Sequence, residues 1–167
     1  KTYDGSTNAT LTGTAVYSGL VSGDTFTGSY SGVFADANVG TGKTVNITSS
    51  YSGADVNNYS VTDQTSTTAD ISAKALTATA STSNKTYDGG TTASTTLTFT
   101  GLVGSETLGQ TVGSTFDNKN VGSNKTVTVN SITLSDGSGL AANYSISAGQ
   151  TTTANITAKS LTVSGIT

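Results

Sequence analysis

Between Lys43 and Ser49, Val45 and Ile47 alternate with Thr44, Asn46 and Thr48, which is the period-two pattern of a strand with one dry and one wet face. Val127 and Val129, then Ile132 and Leu134, give the same signal further along. Weaker alternation predicts strands over 10–17, with Leu11, Ala15 and Tyr17 on one face, over 25–30, leading into Gly32-Val33-Phe34, and over 67–72 and 152–157. A strand also ends near Tyr3, before the Asp4-Gly5 turn. Gly19 to Asp24 reads as a loop whose Leu20 and Val21 plug one end of a core, and 36–42 reads as a turn with one buried Val. No stretch has helical periodicity. Short strands about 8 to 12 residues apart, separated by Gly and Asx turns, predict an antiparallel sandwich, ahead of a parallel β-helix, whose period would be nearer 20 residues.

The pattern occurs twice. Lys1-Thr2-Tyr3-Asp4-Gly5 returns as Lys85-Thr86-Tyr87-Asp88-Gly89, Gly19-Leu20-Val21 as Gly101-Leu102-Val103, and Asn38-Val39-Gly40 as Asn120-Val121-Gly122. Asn58-Tyr59-Ser60 matches Asn143-Tyr144-Ser145, and Thr68-Ala69-Asp70-Ile71 matches Thr153-Ala154-Asn155-Ile156. Copies that differ only by short insertions are tandem domains. The expected fold is all-β: two tandem antiparallel Ig-like β-sandwich repeats arranged end to end. The expected divisions are 1–74, which lacks its own first strand, 75–159, and 160–167 as the start of a third repeat or a donated strand. The segment Ala75-Leu76-Thr77-Ala78-Thr79-Ala80 recurs as Ser160-Leu161-Thr162-Val163-Ser164. It reads as the first strand of the following repeat, which leaves an edge of the first copy open to the C-terminal strand of a neighbouring molecule.

Composition sharpens this reading. The chain has 167 residues, of which 36 are Thr, 24 Ser and 20 Gly, with a net charge of −3. Thr suits a pleated, half-wet surface, and so low a charge argues against disorder. There is no Cys, His, Trp, Met, Pro or Arg, so disulfides and thiolate or imidazole metal sites are excluded. An acidic chain without Arg disfavours nucleic acid as a partner. No apolar run approaches the roughly 18 residues of a membrane span, and none of these residues reads as a signal peptide. The missing start Met and the broken third repeat read as a piece of something longer.

The combined landmarks resemble the YDG repeat domain of bacterial surface proteins, such as filamentous-haemagglutinin-like adhesins. The likeness covers almost the whole chain twice. It implies an extracellular or cell-surface stalk or spacer that projects a distal binding domain, with neighbouring repeats as its partners and no catalytic residues. The first copy's Asp24 becomes Glu106 in the second, a departure from strict repetition. Two other readings stand beside the stalk. One is a filament or matrix subunit assembled by strand exchange with other copies. The other is a carbohydrate-binding module, using the loop 137–142 with Tyr30 and Tyr51 and recognised by an aromatic groove in one copy only.

Tyr3, Asp4 and Gly5, with Tyr87, Asp88 and Gly89, read as structural turns in which Asp accepts a backbone amide. No cofactor is expected. Asp55 and Asp136 are the best Ca²⁺ candidates, although a calcium site wants six to eight clustered oxygens. Lys74 with Asp70, and Lys159 with Asn155, hold parts of an isopeptide cross-link. Sequons at Asn8, Asn46, Asn58, Asn84, Asn124, Asn143 and Asn155 are candidate glycosylation sites. An enzyme is not expected: without His or Cys, acid and base work falls to paired carboxylates, and the repeat-related Asp24 and Glu106 belong to different domains.

Overall fold

The computed structural model describes residues 1–166 as an all-β protein that divides into two compact units, Lys1–Ala73 and Lys74–Thr167. In the first unit β1 (Asn8–Ala9), β2 (Thr27–Phe34), β3 (Gly40–Ser52) and β4 (Ser66–Ile71) form one antiparallel sheet in the order β1-β2-β3-β4. Its buried side chains, Phe34, Val45 and Ile71, come from three neighbouring strands, with Tyr3 beside them. Phe34 and Val45 are direct cross-strand partners, so the alternation along β3 puts its apolar face inward.

The second unit contains β5 (Lys74–Ala75), β6 (Thr77–Thr82), β7 (Lys85–Thr86), β8 (Thr95–Thr100), β9 (Leu108–Phe116), β10 (Gly122–Asp136), β11 (Tyr144–Ser145) and β12 (Thr151–Thr157). Its main sheet runs β7-β12-β10-β9, and β6 pairs antiparallel with β8 while β11 pairs parallel with β5. Phe116, Val127, Ala154 and Ile156 make the core, with Tyr87 and Ala93 packed against it. β6 packs against β12 and β8 against β9, giving this unit a second layer. Two single-turn 3₁₀ segments, Val56–Asn58 and Ala141–Asn143, interrupt the strands, and there is no α-helix among the described residues.

Two irregularities place the side chains. Val127 and Val129 have one parity and Ile132 and Leu134 the other, and a β-bulge between Val129 and Ser131 in the β9–β10 ladder accommodates the change. One extra residue restores the inward face. A second bulge, between Gly40 and Lys43 or between Gly122 and Lys125, lies at the start of the long strand in both units. It holds a left-handed residue, Gly42 at φ 60° or Asn124 at φ 51°. The amide of that residue donates to a side chain on the next strand: Gly42 N–H to Asp70 Oδ1 at 2.7 Å, and Asn124 N–H to Asn155 Oδ1 at 2.8 Å. Asn is among the few side chains that tolerate this conformation.

Several sequence expectations are corrected. No strand covers 10–17: these residues have no ladder, and the only nearby strand is the two-residue β1. The counterpart β8 is paired along its length with β6, whereas the first unit offers residues 10–17 no such partner among its described residues, and Gly13 at φ 103° breaks the extended run. The expected strand ending at Tyr3 is a single bridge from Thr2 to Ser72. The predicted strand over 25–30 and the Gly32-Val33-Phe34 segment form one strand, β2. Val21 is 61% exposed and so plugs nothing, because the loop is held from its backbone. β3 and β10, at 13 and 15 residues, exceed the predicted lengths. Residues 158–166 carry no strand, and the last residue of the expected third-repeat segment, Thr167, lies outside the described residues.

Candidate functional site

Each unit carries the same two side-chain clamps. In the first clamp, Lys1 Nζ lies 2.8 Å from Asp4 Oδ1 and donates to the Ser6 carbonyl at 2.7 Å, while Asp4 Oδ1 accepts the Ser6 amide at 2.8 Å. Lys85 repeats this with Asp88 at 2.8 Å and the Gly90 carbonyl at 2.8 Å, and Asp88 accepts the Gly90 amide at 2.9 Å. Each ammonium also stands over the ring of a buried phenylalanine, 5.7 Å from Phe34 and 5.6 Å from Phe116, a cation–π contact. The glycine after each Asp has φ near 80°, 77° at Gly5 and 83° at Gly89, which favours glycine there. Hydrogen bonding to Lys1 is the main cause that draws the Asp4 carboxyl down to about 2, and Lys85 lowers Asp88 in the same way.

The second clamp joins the Gly-Leu-Val loop to the Asn-Tyr-Ser segment. Tyr59 donates its hydroxyl to Asp24 Oδ2 at 2.6 Å and accepts the Val21 amide at 3.0 Å. Tyr144 donates to Glu106 Oε2 at 2.6 Å and accepts the Val103 amide at 2.9 Å. The Asp-to-Glu exchange between copies therefore preserves one bond. The Asp24 hydrogen bond is the main cause that raises the Tyr59 phenol, whereas burial, followed by Glu106, raises Tyr144. Nothing in the spacing alone joins residues 35 and 38 positions apart. The signal was that an acid and a tyrosine persist together in both copies.

Other candidates are engaged locally. Asp55 Oδ2 accepts the Thr25 amide at 2.8 Å and Asp136 Oδ1 the Ala141 amide at 2.7 Å, and no group of three or more potential acidic ligands converges among the described residues. Asp70 and Asn155 hold the bulge amides described above. Asn143 is 2% exposed and so presents no amide for glycosylation in the folded unit. Asn84 Oδ1 accepts the Asn155 amide at 2.7 Å, while Asn8, Asn46, Asn58 and Asn124 lie at exposed positions. Tyr30 and Tyr51 belong to the first unit and residues 137–142 to the second.

The first unit contains one large concavity, a groove of about 880 Å³ between the segment 10–18 and its sheet. An aromatic cluster borders it: ring centroids lie 4.9 Å apart for Tyr17 and Phe26, 5.2 Å for Phe26 and Tyr51, and 5.7 Å for Phe26 and Tyr59. The Tyr30 hydroxyl donates to that of Tyr17 at 3.0 Å, which pushes the Tyr30 phenol upward. This pair lies over Gly28, where a Cβ would come within 2.2 Å of the Tyr30 oxygen. In the second unit the matching position is Gln110, whose side-chain amide bonds both backbone groups of Leu97, accepting at 2.9 Å and donating at 2.7 Å. A model of the YDG domain matches residues 1–68 and again residues 72–154.

The chain belongs to the YDG domain family. No curated protein and no solved structure matches it. The two YDG matches fall on the two compact units, and the clamps link the landmarks that recur in both. The aromatic groove is lined by residues of the first YDG unit.

Proposed function

We propose that these YDG units are structural spacers of a secreted or cell-surface bacterial adhesin of the filamentous-haemagglutinin-like kind. They are Ig-like modules set end to end that carry a distal binding domain away from the cell. One observation carries the reading: the side chains that recur between the units are engaged in clamps within each unit. Lys1, Asp4, Asp24 and Tyr59, with Lys85, Asp88, Glu106 and Tyr144, bind their own loops and strands. Repetition thus preserves scaffolding, and the working property is reach. A surface rich in Thr and Ser with few charges stays hydrated and changes little with salt. The chain has no enzymatic role in this reading.

The test uses the parent protein on its own cells. Antibodies against the two units label intact cells, and deleting both units leaves the distal domain folded but closer to the surface, with adhesion reduced. Confinement of the units to the cell interior, or adhesion unchanged by their deletion, contradicts the proposal.

A further inference from the structure

The turn between β9 and β10 gathers a lysine, an amide and an acid. Lys125, on β10, is 9% exposed, and its ammonium lies 2.8 Å from Asp117 Oδ1 and donates to Asn118 Oδ1 at 2.6 Å. The same Asn118 oxygen accepts the Asn120 amide at 3.0 Å, and the Asp117 carboxylate accepts the Asn118 amide at 2.8 Å. The sequence singled out Asp70 and Asn155 for a lysine cross-link, but each is bonded to a bulge amide. The three groups that such a bond needs meet here instead.

The first unit builds the same turn with different side chains. Lys43 Nζ lies 2.6 Å from Asp36 Oδ1, which accepts the Asn38 amide at 2.8 Å, so Asp36 stands where Asn118 does. The backbone is alike: Ala35 N–H donates to the Thr44 carbonyl at 3.1 Å, and Asp117 N–H to the Thr126 carbonyl at 2.9 Å. Ala35 thus takes the place of Asp117. One lysine–carboxylate pair is enough to hold this turn. The second unit puts a neutral amide at the first acid's position and moves the acid one residue back, which keeps the ion pair and sets an electrophile beside the amine.

We propose that Lys125 and Asn118 condense into an intramolecular amide bond, with Asp117 carrying the proton. Asp117 takes a proton from the ammonium across their 2.8 Å contact, and the neutral Nζ attacks Asn118 Cγ. With Nζ 2.6 Å from Oδ1, that carbon is at most about 3.8 Å away, near the separation at which two held groups react. The Asn120 N–H steadies the charge that grows on Oδ1. Protonated Asp117 then gives its proton to Nδ2. The Nζ–Cγ bond forms, the Cγ–Nδ2 bond breaks, and the departing ammonia takes the extra proton from Nζ and leaves as ammonium. The carboxylate is restored, and nothing is oxidised or reduced. In the first unit Asp36 is ionised with no acid beside it, so Lys43 keeps its ion pair. This goes beyond the spacer reading and does not depend on it.

Mass spectrometry of the full chain, held in neutral buffer until its mass is constant, tests the proposal. The wild-type mass falls short of the sequence mass by one ammonia. Trypsin does not cut after an acylated lysine, so it releases 86–119 joined to 120–159, while cutting after Lys43 continues. Lys125→Arg keeps a cation beside Asp117 without the amine nucleophile, and retains the full mass. Asp117→Ala slows the condensation at least about a hundredfold. Ala35→Asp with Asp36→Asn rebuilds the three groups in the first unit, where Ala35 is exposed, and that chain loses a second ammonia. A wild-type chain of full mass that is cut after Lys125 overturns the proposal, and this result needs no variant to fold. An ammonia loss that survives Lys125→Arg and is reversed by hydroxylamine also overturns it, in favour of a succinimide at Asn118. Linkage at an equal rate in Asp117→Ala overturns the role given to the acid.

Discussion

Tyr144 donates its hydroxyl to Glu106 at 2.6 Å and accepts the Val103 amide at 2.9 Å, so one buried phenol ties a loop to a strand some forty residues away. Tyr59 and Asp24 form the same tie at 2.6 Å. The Tyr144 side is 5% exposed whereas Tyr59 is only half-buried, and a polar group left unpaired costs more where water is excluded. Tyr144→Phe is therefore expected to destabilise its unit by about 1–3 kcal/mol, and Tyr59→Phe by less. Urea titration of each variant checks this, and a double-mutant cycle with Glu106→Gln isolates the coupling. Equal losses in the two units contradict the burial argument.

The Lys–Asp ion pairs are expected to make the protein acid-sensitive. Hydrogen bonding to Lys1 depresses Asp4 from 3.8 to about 2, and Asp88 is lowered by Lys85, Asp36 by Lys43 at 2.6 Å and Asp117 by Lys125 at 2.8 Å. Depressed carboxyls bind fewer protons when folded, so their contribution is complete above about pH 4 and is lost as the pH falls toward 2. The raised phenols of Tyr59 and Tyr144 work in the opposite sense: their contribution is complete below pH 10 and lost above it. Melting temperature should be level between these limits and fall on both sides. Asp4→Asn combined with Asp88→Asn should flatten the acid limb. An acid limb unaltered by these changes assigns it elsewhere.

At the bulge, Gly42 and Asn124 share a left-handed backbone and an amide held by the next strand. Asn124→Gly is expected to change stability by less than about 1 kcal/mol, because glycine adopts this φ freely. Asn124→Val should cost about 1–2 kcal/mol, since a β-branched residue resists it. Calorimetry of both variants is sufficient, and a harmless valine would contradict the geometry.

Much of this was legible in the sequence where a residue's partner lay on the same face of the same strand. Val45 and Ile47 marked β3, whereas Ile132 and Leu134 read as the same alternation continued from Val129, and the change of parity between them is absorbed by a bulge that the alternation did not announce. The Asp4 turn followed from Asp-Gly chemistry acting over two residues. Other features depend on distant partners. Residues 10–17 alternate well enough, yet they form no strand, because a strand needs a ladder and theirs is absent. The Asp24–Tyr59 tie spans two loops whose approach only the folded sheet sets. Repetition with one substitution, Asp24 to Glu106, was the sole trace of it.

In the proposed spacer, the two units are self-supporting and bear load in series. Pulling the full chain from its two ends in a single-molecule force experiment tests this most directly. Two separate unfolding steps are predicted, each releasing a contour length of roughly 3.3–3.6 Å per residue of one unit, with the second unit, which has the fuller core, yielding last. One cooperative step that releases the whole chain would contradict it.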